Sequence, residues 1–538
     1  MSTTAYDVIV IGAGANGLVA SAILGRAGLR VLLVERDEAL GGQGRLIEFA
    51  PGFRAAPLGL DPGWLPDPVA AAIGLEGLER STAVPAPGLG VAVDTRLFLT
   101  LSRDPRRAAE AIAAHSPADA AKWPEFTARM RALAGFLESL YLTPAPDISA
   151  SSLGDLLPLV GLGKKFRALG RRDMVEFLRT LPLSIWELLD DWFESSALKA
   201  AVATGGIQDH QQGPRSGGTG FVFLHNLVGA PAGALRGRAP WRGGPEVFTA
   251  AAERAARKSG VAIRAGASVA RIQARDDAVA GVVLDGGEEI SAKTVLSTAN
   301  PARTLLEWVD PVWLDPDFIH AVGNIRHRGC TAVMLYALDR LPEIPGLPSA
   351  DALAGVLSLT PTVAALEKAA DAAKYGTVSE RPHVEITLPT LQSPQLATGG
   401  RHVMVARVQY APYRLREGST WDAARRDALA KTVTSAIEAV SPCFTSRIVG
   451  QAALSPRDLE ERFGLREGAV SQGELGLDQI LFMRPVAGWG NHRTPLGGLY
   501  LGGAGSHPGP GILGGAGWLA AQRILGDRRR SGRPGKNP

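Results

Sequence analysis

The chain has 538 residues, 46% of them hydrophobic and 20% charged, which fits a globular protein of two or more domains and excludes a disordered or fibrous one. A net charge of only +4 makes no case for nucleic acid as a partner. Two widely spaced cysteines, Cys330 and Cys443, exclude a C-x-x-C redox pair and suit a reducing cytoplasm, and the nine histidines form no metal-like cluster, so no metal is expected.

In chain order, residues 8–11 (VIVI) are a short apolar run of the kind a buried parallel strand shows. Gly12, Gly14 and Gly17 follow as G-x-G-x-x-G, with Ala15 and Asn16 inside the pattern. A helical stretch over 18–26 and a second strand over 31–34 come next, the strand ending at Glu35. The first glycine permits the tight turn, the second lets a pyrophosphate approach the backbone, and the third lets helix and strand pack closely. The helix N-terminus offers free N–H groups to phosphate, and Glu35 is placed to accept hydrogen bonds from ribose. The frame predicts a bound dinucleotide. Because it begins at Val8, no leader is expected ahead of it, and no run reaches the roughly 18 apolar residues that a spanning helix needs.

The stretch "RDEALGGQGRL" sets Arg36 and the Gly41-Gly42 pair against the pyrophosphate a second time, a continuation common in flavoproteins and rare in nicotinamide domains. Gln43, Gly44 and Arg45 complete that loop and are candidates to touch the cofactor or shape its pocket. Residues 76–234 read as mostly helical; apolar positions recur at helical spacing over 104–142, broken at Pro117 and Pro124. Within this region Lys164, Lys165, Arg167, Arg171 and Arg172 stand beside apolar faces, where they could dock on anionic lipid or form an ordinary solvated surface. A helix is expected over 248–257, extended chain over 262–272 around Gly266, a hairpin turning near Asp285-Gly286-Gly287, and a buried strand over 294–297 that returns toward the nucleotide. Val269 is the candidate to touch adenine. Residues 306–474 mix strands over 331–337, 383–388 and 402–410 with a helix over 421–440. A strand over 499–501 leads into a glycine-dense loop over 502–517 and a helix over 518–525. That loop, through Gly503, Ala504, Gly511, Ile512 and Leu513, can close over an isoalloxazine ring, with N–H groups facing its electron-rich edge. The basic tail 527–538 is expected to be disordered.

Long strings carry a resemblance: "VIVIGAGANGLVA", "EFAPGFR", "LLDDWFES", "GPRSGGTGFVFLHNLVG", "WRGGPEVF", "VLSTANPARTLLEWVDP", "FGLREGAVSQGELGLDQILFMRPVAGW" and "GLYLGGAGSHPGPG". Over most of its length the chain resembles the phytoene-desaturase-like flavoproteins of the carotenoid desaturase and amine oxidase superfamily. Within it, the chain is similar to the pyridine nucleotide-disulfide oxidoreductase domain-containing protein 2 branch. The resemblance implies non-covalent FAD and an α/β fold: a discontinuous Rossmann-like FAD-binding domain (1–75, 235–305 and 475–538) with an inserted α+β substrate-binding, or cap, domain (76–234 and 306–474). Disulfide reductase chemistry is excluded, because it needs paired cysteines and a second nucleotide fingerprint.

Flavin oxidation of a C–H bond needs the substrate carbon near flavin N5, and a base is optional when positive charge delocalises over a polyene. No Ser-His-Asp arrangement or G-x-S-x-G is present. From the family-like segments, His507, Glu474 and His225 are the catalytic candidates, with a satisfied core or loop histidine as the competing reading for both histidines. Gln472 stands where relatives often carry His, which puts an acid/base role there in doubt. Gln211 and Gln212, in the polar "DHQQGPR", together with Gln472, Trp489 and Trp518, are candidates to line the substrate pocket; Trp241 and Trp64 could wall it too. The expected function is FAD-dependent dehydrogenation of a hydrophobic, isoprenoid-like small molecule, with oxygen or a quinone as electron acceptor. Saturase, isomerase or amine oxidase activity on the same scaffold stays open. So does a non-catalytic flavin-bearing partner protein, with which Gln43, Gln472 and Ala516 are compatible. The expected setting is cytoplasmic, with peripheral membrane contact through the basic cluster as one reading.

Overall fold

The computed structural model describes residues 6–59, 63–75, 78, 87–145, 153–230, 235, 241, 244 and 246–531. Five parallel strands make its first sheet, in spatial order Leu499–Leu501, Val295–Ser297, Val8–Ile11, Val31–Val34 and Ala262–Arg264. Every residue of Val8–Ile11 and Val31–Val34 is buried, because both faces of this sheet are covered. Alternation divides the side chains. Val8, Val10, Val31 and Leu33 pack against the helices Ala15–Arg26, Glu246–Lys258 and Gly515–Ser531. Ile9, Ile11, Leu32 and Val34 face a three-stranded antiparallel sheet, Val269–Arg275, Ala278–Leu284 and Glu289–Ser291. The expected α/β class and Rossmann-like frame are what the chain adopts.

A second, seven-stranded mixed sheet runs Ile448–Leu454, Thr331–Leu338, His402–Gln409, His383–Thr387, Val356–Ser358, Pro87–Asp94, Leu97–Ser102. Along Thr331–Leu338, Ala332, Met334, Tyr336 and Leu338 share a core with the helix Ala423–Val440. Val333, Leu335 and Ala337 face a smaller core with Phe53, Leu459 and Leu465. A layer of helices between Pro105 and Leu227 packs over the Pro87–Ser102 hairpin through Leu89, Val91, Leu99 and Leu101.

The 76–234 region is mostly helical, as expected, and its hairpin pairs in parallel with Val356–Ser358 and so joins the sheet built by the later insertion. Two expectations change. Pro117 opens the helix Pro117–Tyr141 just after its Ser116 cap, but Pro124 lies inside that helix without ending it. Trp123 and Phe126, on either side of it, are fully buried, and their packing outweighs the missing N–H. At the other end, the last helix continues to Ser531, so 527–531 are not part of a disordered tail. Asp527 holds it there, accepting from Arg493 Nε at 2.9 Å and from the Tyr500 hydroxyl at 2.9 Å. The remaining tail, 532–538, lies outside the described residues.

Candidate functional site

A cavity of about 500 Å³ runs along the C-terminal edge of the parallel sheet, where ligands of open α/β sheets bind. Its floor is backbone. A Cβ on Gly17 would overlap the Gly12 carbonyl, so only glycine lets the first helix start this close to the strand. Gly14 and Gly42 face each other: a Cβ on Gly42 would stand 3.2 Å from Gly14 Cα, and Gly42 also has φ +56°. Two glycine turns, one from each loop, thus leave an unobstructed cradle of main-chain atoms, lined also by Gly12, Ala15, Asn16, Gly41 and Gly44. The Asn16 side chain accepts from Gly517 N at 3.2 Å and ties the first helix to the last.

At one end of the cavity stand Glu35 and Val269. Glu35 is nearly buried; its Oε2 accepts from Ala13 N at 2.7 Å and its Oε1 from Asp37 N at 3.2 Å, locking the second strand's end to the glycine turn. Arg36, Gln43 and Arg45 also line the wall, and each donates to the protein as well. Arg36 Nη2 donates to Arg462 O at 2.6 Å, Gln43 Nε2 to Val470 O at 2.8 Å, and Arg45 Nη2 to Arg462 O at 2.6 Å. Arg45 also pairs with Asp37 and lies 4.6 Å over the Phe463 ring. These three side chains fasten the 462–470 segment over the cavity.

At the other end the wall is Gln472, Ala504 and Gly509 to Leu513. Trp64 N donates to Gly511 O, and Leu513 N to Trp64 O, both at 2.7 Å, which pins this loop. Gln472 accepts from Gly505 N at 3.1 Å and so acts as a neutral brace. Gly503 is not in the lining; it lets the chain pass against the Thr298 carbonyl, which a Cβ would strike. Thr298, Asn300, Arg303, Trp308 and Trp241 line the cavity and were not assigned to a cofactor site from the sequence. The string "TANPAR" was the available signal. Asn300 holds His327 Nε2 at 2.9 Å, and burial pushes that imidazole down to about 4.

None of the three catalytic candidates lines this cavity. Glu474 is buried and spent on two arginines: Arg328 Nε donates at 2.8 Å and Arg326 Nε at 3.4 Å. His507 is buried with Nε2 3.0 Å from Thr143 O, and burial pushes its pKa down to about 4, so it is neutral near pH 7. His225 Nδ1 sits 2.7 Å from the Tyr141 hydroxyl, behind Gly511. Trp489 packs edge-on against Phe318, its ring centre 5.2 Å away, and Trp518 packs on the helical core of the first sheet; neither reaches the cavity. Gln211 and Gln212 also lie away from it. Their turn is fixed to the second sheet by the Asp209–Arg407 ion pair and by Tyr410, whose hydroxyl donates to Gln212 O at 3.1 Å. Among the described residues, the wall around Gln472, Ala504 and Gly509 to Leu513 therefore presents no ionisable side chain, which fits chemistry done by positioning.

The residues at hand fit a dinucleotide-type flavin: a glycine-lined cradle for pyrophosphate, a carboxylate at one end and, among the described residues, an uncharged wall at the other. Residues 10–61 match the family described as an NAD(P)-binding Rossmann-like domain. The chain is 33% identical over 545 residues to "Pyridine nucleotide-disulfide oxidoreductase domain-containing protein 2" of Rattus norvegicus, covering 97% of this chain and 94% of the relative. It is 24% identical over 560 residues to one of the subunits of limonene dehydrogenase from Castellaniella defragrans, with the same coverage of each chain, 97% and 94%. In fold it is similar to cyclohexylamine oxidase of Brevibacterium oxydans, at a TM-score of 0.57 and 15% identity, covering 98% of this chain and 100% of that one.

Proposed function

The chain belongs to the family of pyridine nucleotide-disulfide oxidoreductase domain-containing protein 2, and from that premise we propose that it binds FAD non-covalently and dehydrogenates a hydrophobic, isoprenoid-like small molecule. The observation that carries the reading is the continuous cavity from Glu35, over the paired Gly14 and Gly42 turns, to the uncharged wall at Gln472, Ala504 and Gly511. The similarity to a limonene dehydrogenase polypeptide supports an apolar substrate. In this reading Glu35 takes the adenosine ribose and Val269 the adenine. Gly12, Gly14, Gly41 and Gly42 face the pyrophosphate, and Ala504 with Gly511, Ile512 and Leu513 closes on the ring.

Bound FAD would supply a two-electron acceptor for the hydride of a substrate C–H bond, the proton of the neighbouring carbon being released to solvent as the double bond forms. The chain's own contribution is to orient both partners and exclude water. Segments 1–75, 235–305 and 475–538 serve the cofactor, with 462–472 closing over it, and 76–234 with the rest of 306–474 serve the substrate. Oxygen or a quinone takes the electrons onward. No helix among the described residues is long and apolar enough to cross a membrane. The exposed Lys164, Lys165, Arg167, Arg171 and Arg172, with Val160, Val175 and Leu178 exposed beside them, form the face proposed to meet anionic lipid.

The experiment is anaerobic titration of the holoprotein with acyclic polyenes, cyclic terpenoids, steroids and hydrophobic amines, following the visible flavin band. Bleaching by a polyene or terpenoid is expected. Bleaching only by amines would replace the reading with amine oxidation. A flavin that stays oxidised with all of them, yet is reduced by dithionite, would replace it with a saturase, an isomerase or a non-catalytic flavin-bearing protein.

A further inference from the structure

Arg484 is among the largest fully buried side chains of the molecule, and its surroundings are unusual for a buried cation. Among the described residues, its guanidinium is wrapped by main-chain carbonyls alone. Nε donates to Ala504 O at 2.9 Å, Nη1 to Glu474 O at 3.2 Å and Gln479 O at 3.1 Å, and Nη2 to Ser471 O at 2.5 Å and Gly473 O at 3.2 Å. These bonds satisfy the donors but leave the charge uncancelled. Glu474, whose main-chain carbonyl takes Nη1, turns its carboxylate to Arg326 and Arg328 instead. Burial lowers the guanidinium's pKa to about 10, so the group stays charged at neutral pH. The Tyr141 hydroxyl, whose pKa burial raises, stays neutral.

The charge lies one layer behind the cavity. Ala504 and Gly509 are part of its wall; Ala504 O is bonded to Arg484 Nε, and a Cβ on Gly509 would stand 3.7 Å from that nitrogen. Gln472, also in the wall, is flanked in sequence by Ser471 and Gly473, whose carbonyls hold Nη2. In a water-poor setting an unpaired charge acts over several ångströms with little screening.

We propose that Arg484 is a positioning residue for redox chemistry: its uncompensated positive charge, set behind Ala504 and Gly509, favours electron gain by a flavin ring seated against that wall. The proposal rests on the flavin reading above. A purely structural brace would need only donors, whereas this role needs the charge.

The test compares Arg484→Lys, which keeps the charge, with Arg484→Met, which removes it. Midpoint potential by dye equilibration, affinity for sulfite as a probe of electron deficiency at the ring, and urea stability are measured on each holoprotein. Both variants lose carbonyl bonds and both lose stability. The potential and the sulfite affinity fall in Arg484→Met, the latter on the order of tenfold or more, and hold near wild type in Arg484→Lys. Equal potentials and sulfite affinities in wild type and Arg484→Met, or equal losses in both variants, overturn the proposal while leaving the flavin reading intact. If the variants do not fold, the wild type decides. Sulfite adduct formation with an anionic semiquinone on photoreduction supports the proposal, and no adduct with a neutral semiquinone overturns it. A chain that binds no flavin overturns the flavin reading and this proposal with it.

Discussion

Replacing Glu35 with alanine separates a structural role from a cofactor role at one residue. The carboxylate accepts from Ala13 N at 2.7 Å, in a nearly buried position, and from Asp37 N at a longer 3.2 Å. A hydrogen bond to a charged acceptor contributes about 1.5–3 kcal/mol net, and Asp37 N lies near enough to solvent to find water instead. The apoprotein should therefore lose about 1.5–3 kcal/mol, most of it from the stranded Ala13 N–H. In the proposed complex the same carboxylate receives ribose hydroxyls, so FAD affinity should fall further, by about 10- to 150-fold for a loss of the same size. FMN has no adenosine half, and its affinity should move little. The assay is urea unfolding of the apoprotein with fluorescence titration of FAD and FMN into wild type and variant. An unchanged FAD affinity, or an equal loss for FMN, would refute the placement of ribose at Glu35.

Three further outcomes are expected. Glu474→Gln should cost about 1–2 kcal/mol, less than a fully buried pair because Arg326 and Arg328 are near 40% exposed and can return to water, with the flavin reduction rate kept; a hundredfold slower rate at full stability would make Glu474 catalytic. His327, His507 and His492 are held neutral by burial, at about 4, 4 and 3. Above about pH 6.5 neither folded nor unfolded chain binds these protons. Below it the unfolded chain takes them up first, so stability falls with acid by about 2 kcal/mol per histidine at about pH 5, and a urea midpoint that does not fall between pH 7 and pH 5 would contradict this. Vesicles with anionic lipid should bind the protein and neutral ones should not. Lys164→Glu with Lys165→Glu should abolish that binding; equal binding of wild type to both vesicle types would refute the lipid-facing surface.

The nucleotide frame was legible because it is local. The run at Val8, the glycine spacing and Glu35 carry their meaning within one strand, turn and strand, and a glycine at 17 is dictated by its contact with residue 12. The cradle formed by Gly14 and Gly42 was also readable, since each glycine sits in a recognisable loop. What escaped depends on partners distant in sequence. Nothing near Glu474 announces that Arg326 and Arg328 will claim it, and nothing near Arg36 or Arg45 shows that Arg462 O will take their donors. The Pro87–Ser102 hairpin finds its parallel neighbour more than 250 residues later, at Val356–Ser358. Pro124 stays inside a helix against its propensity, because propensity is local while the burial of Trp123 and Phe126 is not. Trp489 is a candidate by type and Trp518 by its place at the exit of the glycine loop, and packing sets both, partly buried, against cores.

The most direct test of the central claim is to release and identify the cofactor of the purified holoprotein by denaturation, chromatography and mass. The account predicts FAD, released without proteolysis, at close to one per chain. Release of a nicotinamide dinucleotide, or a chain that carries no flavin and takes up none when FAD is added, would contradict it.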